Sequence, residues 1–126
     1  MSPAHTLALH LESLGLGTIG QDLHISREPA SPDFVTTLYD TGGDEADTDE
    51  LDIMRPTIQV RVRSFDYAQA HARHLSIRDA LHFTDSGFMG VFMTTDVISI
   101  GRDDNDRHLL TSNYAISQQL AVNGGM

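Results

Sequence analysis

The sequence predicts an α+β fold: a mixed or antiparallel sheet with two helices packed on it, in the order α-β-β-β-α-β-β-β. Three observations carry the prediction. Apolar residues recur at helical spacing twice, near the N-terminus and again from Asp66. Elsewhere the pattern alternates, and strands follow one another with no helix between them. The length of 126 residues, 40% of them hydrophobic, is enough for one core and too little for two, so 1–126 is expected to be a single domain.

The elements follow in order. Ser2 and Pro3 offer an N-cap and a proline at the first helical position, and Leu7, Leu11 and Leu14 then share one face. This places a helix over residues 1–14, ended by Gly15. Leu23 and Ile25 alternate with polar neighbours in "DLHISRE", a half-buried strand. The prolines of "EPASP" turn the chain, and "FVTTLYD" is a second strand, rich in β-branched and aromatic residues. An acidic loop over 43–55 comes next.

In "PTIQVRVRS" the apolar Ile58, Val60 and Val62 share one side, while Thr57, Gln59, Arg61 and Arg63 share the other. The period then becomes helical: Tyr67, Ala70, His74, Ile77 and Leu81 form one stripe, Ser64 or Asp66 can cap it, and Thr84 to Gly87 ends it. "FMGVFMTTDVISIG" holds one long or two short strands. "RDDNDR" is a tight polar turn, "HLLTSNYAISQQL" returns as the last strand, and 121–126 is a flexible tail.

Composition excludes several function classes. The chain has no cysteine, so disulfides, thiolate nucleophiles and cysteine-bound metals are absent. Its formal charge is −10, with eight arginines and no lysine against 18 acids, which argues against a general nucleic-acid binder. No apolar run approaches the roughly 20 residues of a membrane helix, and the N-terminus lacks the form of a signal peptide; a soluble intracellular protein is expected.

Catalytic and metal motifs are weak. There is no P-loop, GxSxG or HExxH, and "GLGTIG" misses dinucleotide-binding spacing by one residue and follows a helix. His71 and His74, three apart on one helix, raise a metal-dependent hydrolase as a third reading. His74 lies inside the apolar stripe, however, where a hydrogen-bonded core histidine is the plainer role. "DDNDRH" lacks the glycine and distal glutamate of a calcium loop and reads as a turn. No catalytic residue, no metal site and no cofactor is expected, and the protein is not read as an enzyme.

Two charged features remain as interface candidates. Arg61 and Arg63 share one face of a strand in a chain short of cations, which suits a face that meets carboxylates of this chain or of a neighbouring subunit. Asp44, Glu45, Asp47, Asp49, Glu50 and Asp52 put six carboxylates into nine residues. That run supports a second reading, a binding module for calcium or a basic protein partner.

Two stretches, "RPTIQVRVRSFDYAQAHARHLSIRDALH" and "ISIGRDDNDRHLLTSNYAI", resemble the minor-capsid or tail-terminator proteins of long-tailed bacterial viruses. The likeness lies in a Pro-led strand with a Gln and alternating Arg, and in Tyr67 opening a helix that carries Ile77 and Leu81. It continues in a G-x-D-D-N-x-R turn and in Asn113-Tyr114 on the last strand. The chain departs at Asp106, where glycine is expected, and in its acidic run.

The resemblance implies a structural virion protein at the head–tail junction, assembled in the host cytoplasm. It implies a homo-oligomer, a hexameric ring on the last ring of the tail tube. Its partners would be the tail tube protein and a head-completion or stopper protein, and DNA would pass through the lumen without specific binding. No membrane is implied.

Overall fold

The computed structural model describes residues 2–44, 53–81 and 90–119. Helix α1 (Pro3–Ser13) begins as its sequence prescribes: the Ser2 Oγ accepts a hydrogen bond from His5 N at 3.2 Å, and Pro3 occupies the first turn. Ala4 N donates to Asp40 Oδ1 at 3.0 Å, placing a carboxylate at the positive end of the helix and tying it to the sheet. The chain leaves through Gly15, at φ 77°. The buried face is Ala4, Leu7, Ala8 and Leu11. Leu14 does not continue the stripe; it caps the helix C-terminus and is 52% exposed.

Five strands follow: β1 (Leu23–Ile25), β2 (Val35–Asp44), β3 (Ile53–Ser64), β4 (Gly90–Arg102) and β5 (His108–Gln119), with helix α2 (Tyr67–Leu81) between β3 and β4. They form one sheet in the order β1-β2-β3-β5-β4, with β1 parallel to β2 and the other pairs antiparallel. The α+β class holds, with one strand fewer than expected. The stretch after α2 is a single strand because three register shifts against β5 let it bend without breaking.

Both helices cover one face of the sheet. Leu38, Ile58, Val60, Val62, Leu110 and Tyr114 meet the α1 residues and Ala70, Ile77 and Leu81 of α2 in one cluster, all at 0% exposure. Burying each Leu or Ile contributes about 1.5–3 kcal/mol. Tyr67, expected on this stripe, is 46% exposed; it lies in the first turn of α2 and packs edge-on against His108 and flat against His71. The α1–β1 connection runs close to the sheet, where a Cβ on Gly17 would stand 3.0 Å from Leu23 Cβ.

Of the expected acidic loop over 43–55, residues 43–44 and 53–55 belong to β2 and β3. Strand pairing continues past Asp40, with Gly43 opposite Pro56 and Asp44 opposite Arg55. Gly42, at φ 91°, absorbs the register shift that precedes them. Residues 45–52, the helix end placed at Thr84 to Gly87 and the 121–126 tail lie outside the described residues.

The turn joining β4 to β5 is built by Asp103. Its Oδ1 accepts from Asn105 N at 3.0 Å and Arg107 N at 2.9 Å, and its Oδ2 accepts from Arg107 Nε at 2.8 Å. Burial opposes ionisation of Asp103, but these hydrogen bonds outweigh it and hold the carboxyl below its usual range. Asp106 sits at φ 65°, the left-handed conformation a glycine would take. The departure from the family pattern therefore keeps the backbone shape, at a residue type that tolerates it.

Candidate assembly interface

The face of the sheet opposite the helices holds both arginines singled out in β3. One row of opposed residues crosses all five strands on it: His24, Thr37, Arg61, Thr111 and Ile98. Arg63 lies in the next row, between Val35 and Leu109. This face divides into a covered half and a bare half.

The connection from β1 to β2 crosses the covered half, held there by two arginines. Arg63 Nη1 donates to Pro29 O and Nη2 to Pro32 O, both at 2.6 Å, with a longer bond from Nε to Asp33 O at 3.4 Å. Arg107 Nη1 donates to Ala30 O at 2.8 Å and to Asp33 Oδ1 at 3.2 Å. The two side chains are nearly enclosed, Arg63 at 2% and Arg107 at 5% exposure. Burial first, and then the Arg107 charge, lowers the Arg63 guanidinium from its ordinary value. Of the two sources of carboxylate expected for Arg63, this chain or a neighbouring subunit, its own chain supplies one: Glu28 Oε1 lies 3.6 Å away, beside the enclosing carbonyls.

Arg61 has a different setting. Its Nη1 is 3.8 Å from Glu28 Oε1, its guanidinium carbon lies 5.9 Å from the centre of the Tyr39 ring, and its side chain remains 28% exposed. Burial, and then the Glu28 carboxylate, raises the Tyr39 phenol above its ordinary value. Three polar atoms of this corner are buried without a hydrogen-bond partner: Arg61 Nε, Glu28 Oε2 and Thr37 Oγ1. Leaving such a group unmet costs about 1–3 kcal/mol each.

Beyond Arg61 the row runs to β4, the edge strand of the sheet. Here Ile98 is 48% and Ile100 46% exposed. Across the rest of the bare half, Thr57, Gln59, Asn113 and Ala115 are partly exposed. Sequence reasoning missed Glu28, Ile98 and Ile100. A signal for the isoleucines was present: "VISI" is apolar at both parities, as in a strand with apolar groups to cover on both faces.

The histidines do not gather. His74 is fully buried; its Nε2 lies 2.8 Å from Leu110 O and its Nδ1 3.0 Å from Ser112 Oγ. A carbonyl can only accept, so Nε2 carries the proton and Nδ1 accepts from the serine hydroxyl. Both nitrogens are thus engaged, and His71 stacks on Tyr67 instead. Burial lowers the His74 pKa, against the pull of the Leu110 carbonyl, and His71 adds to the lowering. Among the described residues no group of three His, Asp or Glu is arranged to hold a metal. Of the acidic run, Asp44 is the last residue of β2, while Glu45, Asp47, Asp49, Glu50 and Asp52 lie outside the described residues.

The α+β fold and the partly exposed, polar and apolar sheet face beside β4 define the candidate interface. The family description "Bacteriophage tail terminator protein" matches residues 10–120, and the chain belongs to that family. The match reaches well beyond the two stretches that carried the resemblance, taking in the end of α1 and the first two strands. It makes this a structural protein of the phage tail, located in the virion and interacting with other tail components. None of the curated proteins matches the chain. No helix among the described residues is long and apolar enough to cross a membrane.

Proposed function

We propose that the protein is a ring-forming, non-enzymatic terminator at the head–tail junction. Copies close into a ring, most simply a hexamer, seated on the last ring of the tail tube. There the ring stops tube growth and presents its far side to a head-completion or stopper protein. DNA passes through a lumen lined by acidic residues, which repel phosphates and let the genome slide; at ordinary salt that repulsion reaches about 10 Å. Assembly takes place in the host cytoplasm. The family match over residues 10–120 is the observation that carries this reading.

The acidic run has a defined place in it. The chain segment from Asp44 to Ile53 joins β2 to β3 at one end of the sheet, and the Asp103 turn joins β4 to β5 at the other. The two ends differ in charge, as suits the two sides of a ring between unlike partners. Within the run, Glu45, Asp47, Asp49, Glu50 and Asp52 are proposed to face the lumen or a basic patch on a neighbouring ring, with Asp44 at their base.

Native mass measurement and negative-stain imaging, with and without purified tail-tube subunits, test the proposal. The expected result is a closed ring, stabilised on tube ends, with tubes of defined length. A protein that stays monomeric at tens of micromolar and leaves tube growth unchanged would overturn it.

A further inference from the structure

We infer that the cleft around Arg73 receives carboxylates from the acidic run of a second copy of this chain. The inference rests on the ring subunit proposed above and names one contact by which copies meet.

The cleft lies between α2, the α1–β1 connection and the start of β2, and measures about 310 Å³. Leu16, Phe34 and Ala72 give it an apolar wall, Gln69, Arg73 and Ser76 a polar one, and all six are at least partly exposed. The Arg73 guanidinium carbon lies 4.9 Å from the centre of the Phe34 ring, and Nη1 donates to Leu16 O at 2.6 Å. Those contacts orient the guanidinium; among the described residues its Nε and Nη2 have no hydrogen-bond partner. Gln69 Oε1 accepts from Ser64 Oγ at 2.6 Å, which leaves its amide N–H groups to offer. The cleft thus presents donors around a fixed positive charge, the arrangement that takes a carboxylate through two oxygens.

Among the described residues, no carboxylate of its own chain fills that role. The ion pairs there use Arg61, Arg63, Arg78, Arg102 and Arg107. The acids nearest the cleft in the chain are engaged elsewhere: Glu12 Oε2 accepts from Ile19 N at 2.8 Å, and Asp22 Oδ1 from Thr18 N at 2.7 Å. Asp79, the one acid within α2, faces Arg78. A DNA phosphate is the poorer occupant, since holding that backbone takes a row of cations and this is one arginine on a chain of charge −10.

The acidic run is the densest source of carboxylates in the sequence, six in nine residues. Its own subunit's cleft is out of reach. Strand β2 leads from Val35, beside Phe34, to Asp44, a span of about 30 Å. The run must return from Asp44 to Ile53, so its middle extends about 15 Å at most. A second copy brings its run to the cleft without that limit. One or two carboxylates suffice there, and the others remain for the lumen.

The test compares wild type, Arg73→Gln, a run variant with Asp47→Asn, Asp49→Asn and Glu50→Gln, and the combination of both, by light scattering after gel filtration over a concentration series. Arg27→Gln is the control: it removes the same charge from an exposed arginine that also lacks an ion pair among the described residues. Thermal melts followed by circular dichroism confirm that each variant is folded. Wild type and control should assemble, Arg73→Gln and the run variant should associate at least tenfold more weakly, and the combination should be no weaker than either alone.

Assembly unchanged in Arg73→Gln overturns the inference and leaves the ring subunit standing. Losses that add in the combination overturn a direct contact between cleft and run. Arg73→Gln rings that form normally but no longer bind tail-tube subunits assign the cleft to the tube protein, against a second copy. A wild type that never assembles overturns the ring subunit itself.

Discussion

Arg61 and Arg63 stand two residues apart on one strand, point to the same side of the sheet, and live under different conditions. Arg63 donates to three carbonyls beneath the β1–β2 connection and is 2% exposed. Arg61 has one long ion pair, an aromatic neighbour and an Nε without a hydrogen-bond partner. Nothing in the strand itself separates them; the difference lies in what crosses over each. One arginine is locked beneath the chain's own connection, and the other stays partly exposed.

Substitutions sharpen that contrast, beginning with the core beneath it. Ile58→Ala, at a fully buried site on the helix face, should destabilise the protein by about 2–5 kcal/mol in chemical denaturation, whereas Ile98→Ala should cost under about 1 kcal/mol. Equal losses would mean that Ile98 is part of the monomer's core. Arg63→Ala should cost about 2–4 kcal/mol, because it frees a buried connection and strips donors from enclosed carbonyls. Arg61→Ala should change folding stability by no more than about 1 kcal/mol. If the two arginine variants melt alike, the division of the face fails.

Acid probes the other face. His74 is held neutral, with a pKa below that of the unfolded chain, so the unfolded state binds the extra proton first. Stability is full above about pH 6.5 and falls as pH drops below it toward the folded value, with a limiting slope of about 1.4 kcal/mol per pH unit for one proton. His74→Leu should flatten this slope in pH-dependent denaturation, though its absolute stability is lower. Asp103 acts in a separate window: its depressed pKa contributes stability above about pH 4 that is lost in stronger acid. The smallest effect should come from Asp106→Gly, within about 1 kcal/mol of wild type by thermal melting, since relief of left-handed backbone is offset by a more flexible unfolded chain.

Much of the fold was legible because it is written locally. The Ser2 cap, the α2 stripe around His74 and the alternation of β3 all depend on residues within a turn or two of each other. The sheet order was not, because it rests on pairing between distant strands, such as β5 inserting between β3 and β4. The extension of β2 through Gly42 was hidden by two glycines and an aspartate, residues that ordinarily end strands. At the candidate interface, alternation placed Arg61 and Arg63 on the correct face. It could not say which would be covered, since that depends on a connection about 30 residues earlier in the chain. Arg107 read as one more polar turn residue, and only the folded turn brings it onto that same connection.

The edge strand carries one further consequence. Over its thirteen residues β4 changes step three times against its neighbour, so its free side offers no straight rail to an incoming strand. Irregularity of this kind hinders the edge-to-edge strand pairing by which exposed edges grow into fibres.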